Sequence, residues 1–258
     1  MSKPAQSRTC LLAALLLSLS SCSSDPDSLG PNAQKLPPNA PKAVQGLVNP
    51  YDPDARRHAA SAVADRGLVR EAGYATLLRD LTDDDDPTVR AAAIRALMTQ
   101  PDPTDAPIFI KAIADPIMVV RWEAASALAR LHDPQSINAL VSTMQDDEAA
   151  EVRAAAAFAL GQYRDSSVVD VLVAALDDPD FIVVRSVRDS LTTLTGQTLG
   201  TDPAPWARWV QEHRSSLFAN ARPYRFNPYA PPPRFYEHLT PWDDRDTTPK
   251  PPAGATSD

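Results

Sequence analysis

The chain has 258 residues, 43% of them hydrophobic, which is enough for one or two domains with a buried core. Its 26 Pro residues far outnumber its 8 Gly residues and crowd into residues 26–53 and 203–252, which indicates two flexible flanks. The net charge of −8 arises in the middle of the chain and excludes the basic surface that binds nucleic acid, so we expect no nucleic-acid partner.

The first 22 residues predict an export signal. A short positive segment, MSKPAQSR, precedes the apolar stretch CLLAALLLSLS, which is too short to span a bilayer as a mature helix. The stretch ends in Leu19-Ser20-Ser21-Cys22, which resembles the bacterial lipobox. That resemblance implies that residues 1–21 are a lipoprotein signal peptide and that Cys22 carries the lipid anchor. It also implies outer-membrane sorting, facing the periplasm, because Ser23 and not Asp follows the cysteine. The alternative is an ordinary secretory signal cleaved nearby.

Residues 22–50 predict a tether. They are rich in Ser, Pro and Asn and lack the periodicity of a helix. A flexible chain of this length spans on the order of 30 Å, which would hold a folded body clear of the lipid headgroups.

Residues 51–196 contain a repeat. Arginines recur at spacings of 31 to 34 residues, namely Arg56, Arg90, Arg121, Arg153 and Arg185. The residue before each of the first four arginines starts the apolar stripe of a helix, which continues four, seven and eight positions later. In the second copy, for example, Val89 is followed by Ala93, Ala96 and Leu97. Such a period indicates an array of helical hairpins in which each unit covers the next. The fifth copy breaks the pattern, either because it is slipped by one residue or because it caps the array.

A second helix with larger apolar residues follows each Ala-rich helix, so each unit is predicted to begin with the Ala-rich helix. Asp86-Pro87, Asp115-Pro116 and Asp178-Pro179 are predicted helix starts, with the Asp as N-cap and the Pro in the first turn. We therefore expect an all-α fold, a right-handed α-solenoid of about five helical hairpins with flexible Pro-rich flanks.

The pattern D-P-x-V-R-x-x-A-x-x-A-L, followed by a second apolar helix, resembles the short bacterial HEAT repeats, a type also seen in phycobilin-lyase-like proteins. In HEAT arrays, turn aspartates and the aligned arginines commonly form a ladder between units. The resemblance implies that Asp86 with Arg90, Asp115 with Arg121, and Asp178 with Arg185 are structural, and that Arg153 belongs to the same ladder.

Two segments follow the array. Residues 197–218 predict a capping helix that carries Trp206 and Trp209 on one face. Residues 219–258 predict a Pro-rich, extended tail, and the sequence alone is compatible with either a docked or a disordered tail. Its aromatic content favours docking on the solenoid. The part from Thr247 on has no aromatic residue and is expected to be mobile. The tail's aromatics are candidates for binding a partner: Tyr224, Phe226, Tyr229, Phe235, Tyr236 and Trp242.

The sequence predicts no catalytic residue, cofactor or metal site. Both cysteines lie within the first 22 residues, and the four His are scattered without ligand or triad spacing. Acidic runs such as residues 83–86 lack the EF-hand order and are interpreted as helix capping. We expect a lipid-anchored, non-catalytic scaffold that binds an unknown protein. The alternative is a ligand-handling HEAT enzyme of the phycobilin-lyase kind.

Cys22→Ser should abolish lipidation and release the protein from membranes, because the thiol that would receive the lipid is gone. Fractionation and labelled-palmitate uptake measure this change. A wild type that takes up no label, together with a variant that still fractionates with membranes, would contradict the lipoprotein interpretation.

Overall fold

The computed structural model describes residues 34–71, 73–228 and 248–255. The signal peptide, Cys22, the start of the tether and four of the tail aromatics (Tyr229, Phe235, Tyr236 and Trp242) lie outside these residues. Ten α-helices follow in the described part: α1 (Pro53–Asp65), α2 (Tyr74–Leu81), α3 (Pro87–Leu97), α4 (Ala106–Ala112), α5 (Met118–Leu128), α6 (Ile137–Asp146), α7 (Ala150–Leu160), α8 (Ser166–Ala174), α9 (Phe181–Thr195) and α10 (Pro203–Glu212).

The odd-numbered helices form one layer of the array. Helix α1 packs on α3, α3 on α5, α5 on α7 and α7 on α9. Small side chains allow this close approach: in α3, Ala93 and Ala96 are buried beside Val89 and Leu97. The described residues form helices and two isolated β-bridges. The predicted all-α solenoid of helical hairpins is therefore confirmed.

Each hairpin starts with an even-numbered helix, whereas the sequence predicted that it starts with an odd-numbered, Ala-rich one. Each even-numbered helix packs on the odd-numbered helix that follows it, so α2 pairs with α3, α4 with α5, α6 with α7 and α8 with α9. The acid-rich turns lie inside these hairpins and not between them. The unit boundary predicted at each Asp-Pro is wrong because side-chain periodicity shows which face of a helix is buried but not which neighbour buries it.

The missing partner of α1 is a 3-10 helix, Lys42–Val48, which brings the array to five hairpins. The tether was predicted to extend to residue 50, but Val44, Leu47 and Val48 are buried against α1. Gly46 permits this packing, because a Cβ atom there would lie 2.5 Å from the carbonyl oxygen of Ala55. The segment is too short for a helical period to stand out in the sequence.

The fifth odd-numbered helix, α9, which contains no Ala, is slipped by one residue. Val183, Val187 and Leu191 are fully buried, at the places that Val152, Ala156 and Leu160 hold in α7. The equivalent of the aligned arginine is therefore Val184 and not Arg185.

Helix α10 covers the end of the array by packing on α8. Trp206 is fully buried there, and its Nε1 donates to the carbonyl oxygen of Gly200 at 2.9 Å. Trp209 is only partly buried and stacks on His213 with ring centroids 4.7 Å apart. Trp206 is thus the residue that fills the end of the core.

The tail runs back along the odd-numbered layer. The hydroxyl of Tyr224 donates to the carbonyl oxygen of Ala129 at 3.0 Å. Phe226 forms a β-bridge with Lys250, with both backbone N–O distances 2.9 Å. Ala253 likewise bridges to Leu131. The mobility expected beyond Thr247 is wrong for residues 248–255, because backbone pairing, which needs no aromatic side chain, fixes them to the array.

Within the described part of the chain, no helix combines the length and the apolar composition that crossing a bilayer requires.

Leu160→Ala should lower the free energy of unfolding by about 2–4 kcal/mol, because the fully buried side chain would leave a cavity between units. Urea unfolding followed by circular dichroism measures the change. Ser142→Ala, at an exposed position on α6, is the control. Equal unfolding midpoints for the two variants would mean that Leu160 does not hold the units together.

Candidate functional site

Four arginines join the hairpins into one ladder. Each uses Nε and Nη2 to grip a carboxylate in the next acid-rich turn, and Nη1 to bind a backbone carbonyl oxygen in the turn that precedes its own helix. The pairs, with their nitrogen–oxygen distances, are Arg56–Asp84 (2.7 Å), Arg90–Asp115 (2.8 Å), Arg121–Asp147 (2.7 Å) and Arg153–Asp178 (2.8 Å). One guanidinium thus fixes two successive turns.

The ladder carboxylates are oriented by their own turns. Asp84, Asp115, Asp147 and Asp178 each accept the backbone N–H two residues further on, at 2.8–2.9 Å. The same turn is present before α1, where the Oδ1 of Asn49 accepts the N–H of Tyr51 at 2.9 Å. Each carboxylate therefore accepts hydrogen bonds both from its own turn, which orients it, and from the ladder arginine.

The ladder charges are stabilised in their ionised forms. Burial raises the pKa of Asp147 and of Asp178, but the hydrogen bonds from Arg121 and Arg153, with those from backbone N–H groups, outweigh it and hold both pKa values below their ordinary range. The same bonds raise the pKa of Arg121 and Arg153. Asp147 and Asp178 therefore stay ionised in structural ion pairs.

None of the three expected pairs forms, although Arg90, Asp115, Arg121, Arg153 and Asp178 all belong to the ladder. Arg90 and Arg121 each bind the carboxylate of the following turn, Asp115 and Asp147, and not that of the turn before their own helix. Asp86 lies outside the ladder and caps α3 by accepting the backbone N–H groups of Thr88 and Val89.

Arg185 also lies outside the ladder. It is exposed, because the one-residue slip of α9 rotates it away from the position that Val184 takes. Asp115 and Asp178 are not N-caps, since α5 and α9 begin two residues later than Pro116 and Pro179 predict.

Sequence reasoning missed Arg56, Asp84 and Asp147 as ladder members. A signal for the acids is present: an Asp stands six residues before Arg90, before Arg121 and before Arg153. Counted from Val184, the same spacing reaches Asp178. This spacing would have located both the ladder acids and the slip.

Two further carboxylates are fully buried between units. Asp105 bridges Arg70 and Arg79 with nitrogen–oxygen distances of 2.7 Å each. Burial raises the pKa of Glu123, and its hydrogen bond from Arg95 opposes that shift. Arg79 of α2 and Arg70 of the turn before it hold Asp105, and Arg95 of α3 holds Glu123, which is the arrangement of structural pairs.

An open groove of about 840 Å³ lies on the odd-numbered layer, along α7. The small side chains of α7 form its floor, and the flanking helices α5 and α9 form its walls. The large apolar side chains of the groove are unusually exposed, at 42% for Met118 and 39% for Trp122 on α5, 38% for Phe158 on α7 and 52% for Ile182 on α9. Phe226 and Asn227 of the tail close one end.

The polar side chains of the groove carry both charges. Arg130, Glu151, Arg185 and Asp189 line its edges. Among residues 34–71, 73–228 and 248–255, no three His, Cys, Asp or Glu side chains gather in a group that could hold a metal ion. The arrangement suits the binding of an apolar side-chain row, with charged groups at the border to orient it.

The candidate partner-binding aromatics that the structure describes are already engaged. The ring of Tyr224 lies 5.3 Å from that of Phe158, and the guanidinium of Arg130 lies 5.2 Å above the ring of Phe226. Tyr224 and Phe226 therefore bind the array itself, which corrects their assignment to an external partner. Apolar residues of α5, α7 and α9 line the groove and remain exposed.

Arg121→Met should destabilise the protein by about 3–5 kcal/mol at pH 7, because Asp147 would stay buried without its cation. Asp147 stabilises the wild type above its unfolded pKa, and that stability is lost as the pH falls through the lowered folded pKa. In the variant the buried carboxyl resists ionisation, so the penalty should shrink from pH 7 to pH 4. Urea titrations at both pH values measure it.

Arg214→Met is the matched control, since the Arg214–Asp170 pair is exposed and should contribute nothing measurable. A second variant, Arg121→Met with Asp147→Asn, should recover part of the loss. Equal stability of Arg121→Met and Arg214→Met would show that the ladder does not couple the units.

Comparison with known proteins agrees with this architecture. Residues 40–122 and 106–192 match the family model described as HEAT repeats. The match begins near the 3-10 helix that completes the first hairpin, ahead of the start predicted from the arginine spacing. No curated protein matches the chain. Because the two matched stretches together cover more than half of the sequence, the chain belongs to the family of HEAT-repeat proteins.

Proposed function

We propose that the protein is a lipid-anchored, non-catalytic interaction module of the bacterial cell envelope, and that it binds an apolar segment of a partner protein in the groove along α7. HEAT repeats typically build scaffolds for protein–protein interaction. The observation that carries the proposal is the open apolar groove on the odd-numbered layer.

The lining of the groove has the composition of an interaction site. Met118, Trp122, Phe158 and Ile182 are large apolar side chains that remain more than one third exposed on adjoining helices. Soluble proteins rarely leave such a patch uncovered, and aromatic residues and Met are enriched at the centres of protein interfaces. Burying them would supply most of the binding free energy.

The groove is supported by the ladder. Arg121 lies on α5, the helix that forms one wall of the groove, and Arg153 lies on α7, the helix that forms the floor. Their ion pairs fix the spacing of these helices before a partner binds. A preformed groove loses less conformational freedom on binding, which favours affinity.

The proposed location in the cell envelope rests on the sequence. The positive segment, the apolar stretch and the lipobox-like residues before Cys22 support lipidation, and Ser23 supports outer-membrane sorting. Because Leu36 and the 3-10 helix pack with the body, the proposed spacer is shorter than the 22–50 that the sequence predicts.

Ala155→Arg should test the binding site, because a long charged side chain on the floor would fill the groove. Crosslinking in living cells followed by mass spectrometry should show at least a tenfold loss of the partner crosslinked to the wild type. Ser142→Arg, on the exposed face of α6, is the matched control and should retain it. If both variants keep the same crosslinked partners as the wild type, the groove is not the binding site.

A further inference from the structure

Residues on either side of 229–247 lie at one end of the groove. Phe226 and Asn227 line that end, and the description stops at Pro228. It resumes at Thr248, and Lys250 pairs with Phe226. Both ends of residues 229–247 are therefore held beside the uncovered apolar walls.

We propose that residues 229–247 of this chain occupy the groove along α7. The inference rests on the proposed function in one respect: it takes the groove to be a docking site for an apolar segment. It adds the identity of the resident occupant, with which a partner protein must compete.

The chemistry of the segment matches the groove. Its sequence, YAPPPRFYEHLTPWDDRDT, carries Tyr229, Phe235, Tyr236 and Trp242 between prolines. Aromatic side chains bury a large apolar area at a small rotamer cost, and proline limits the backbone freedom lost on docking. Aromatics and prolines from a single segment can therefore cover Trp122 and Ile182.

The docking would continue an interface that already exists. Immediately before the segment, Tyr224 packs on Phe158 and Phe226 packs under Arg130. Phe158 and Arg130 both line the groove. The next aromatic, Tyr229, follows Phe226 by three residues, so the same mode of contact extends onto the walls without a change of surface.

The length of the segment is sufficient. Helix α7 has 11 residues, which extend over about 16 Å at 1.5 Å per residue. An extended chain covers this distance in about five residues, so a path out and back needs roughly ten of the segment's 19 positions. Because both ends are fixed, the segment competes at an effective concentration in the millimolar range.

Oxidation of Met118 by hydrogen peroxide, followed by mass spectrometry of the full chain, tests the proposal. We expect at least fivefold slower oxidation of Met118 in the wild type than in a variant with Tyr229, Phe235, Tyr236 and Trp242 all replaced by Ser. Met144, which is 1% exposed, should oxidise slowly in both and reports that the fold is intact. Tyr51→Ser, which removes an exposed aromatic outside the groove, should leave Met118 protected.

Ala155→Arg provides a second measurement in which the segment itself is unchanged. Filling the floor should displace the segment and speed tryptic cleavage after Arg234 at least fivefold relative to Ser142→Arg. Equal Met118 oxidation in the wild type and the four-serine variant would overturn the proposal. Protection that grows with protein concentration would overturn it too, since the occupant would then be a second copy.

The two proposals fail separately. Slow Met118 oxidation in the wild type that is lost in the four-serine variant supports the resident segment, whether or not Ala155→Arg loses a partner in cells. Fast oxidation in both proteins overturns it, even if Ala155→Arg does lose a partner and the groove keeps its proposed function.

Discussion

The arrangement of the whole array depends on one bidentate contact, the arginine that grips the carboxylate of the next turn while binding a carbonyl of the turn before its own helix. Removing two charges from water is costly, so the pairs are weak evidence for net stability. Their effect is geometric. A guanidinium with both sets of partners satisfied permits one register between neighbouring hairpins, as Arg121 does between the turns at Asp115 and Asp147.

Close packing of the odd-numbered helices makes that contact possible. The Ala residues of α3, α5 and α7 bring the backbones near enough for an arginine to reach the adjacent turn, while larger residues such as Leu140 and Leu172 fill the space beneath. On the outer face of the same helices the side chains become large again at Trp122 and Phe158. The groove is thus a by-product of small residues, such as Ala154 and Ala155, that lie among larger ones on the same and the flanking helices.

Much of the fold could be predicted from the sequence, because the Ala stripe and the arginine spacing recur often enough to outweigh local exceptions. The pairing of helices into hairpins could not be predicted. It depends on whether α2 or α4 packs on α3, and this tertiary contact is not encoded in the periodicity of the sequence. The 3-10 helix at residues 42–48 has too few residues to show a period. The groove was missed because no helix in the described part of the chain covers Trp122, whereas the equivalent positions on α3 and α7, Ala91 and Ala154, are buried.

The slip in α9 has a consequence for self-association. In a ladder of equivalent units, each turn presents to the next hairpin the surface that its predecessor presented to it, a head-to-tail arrangement that can continue from one molecule to another as an open filament. Val184 replaces the guanidinium that would reach onward, and α10 covers the core beyond it. The turn of the last hairpin accepts the preceding unit's Arg153 through Asp178, but the last hairpin has no ladder arginine of its own. This asymmetry ends the ladder at the last hairpin, because no arginine at position 184 reaches onward to the turn of a second molecule.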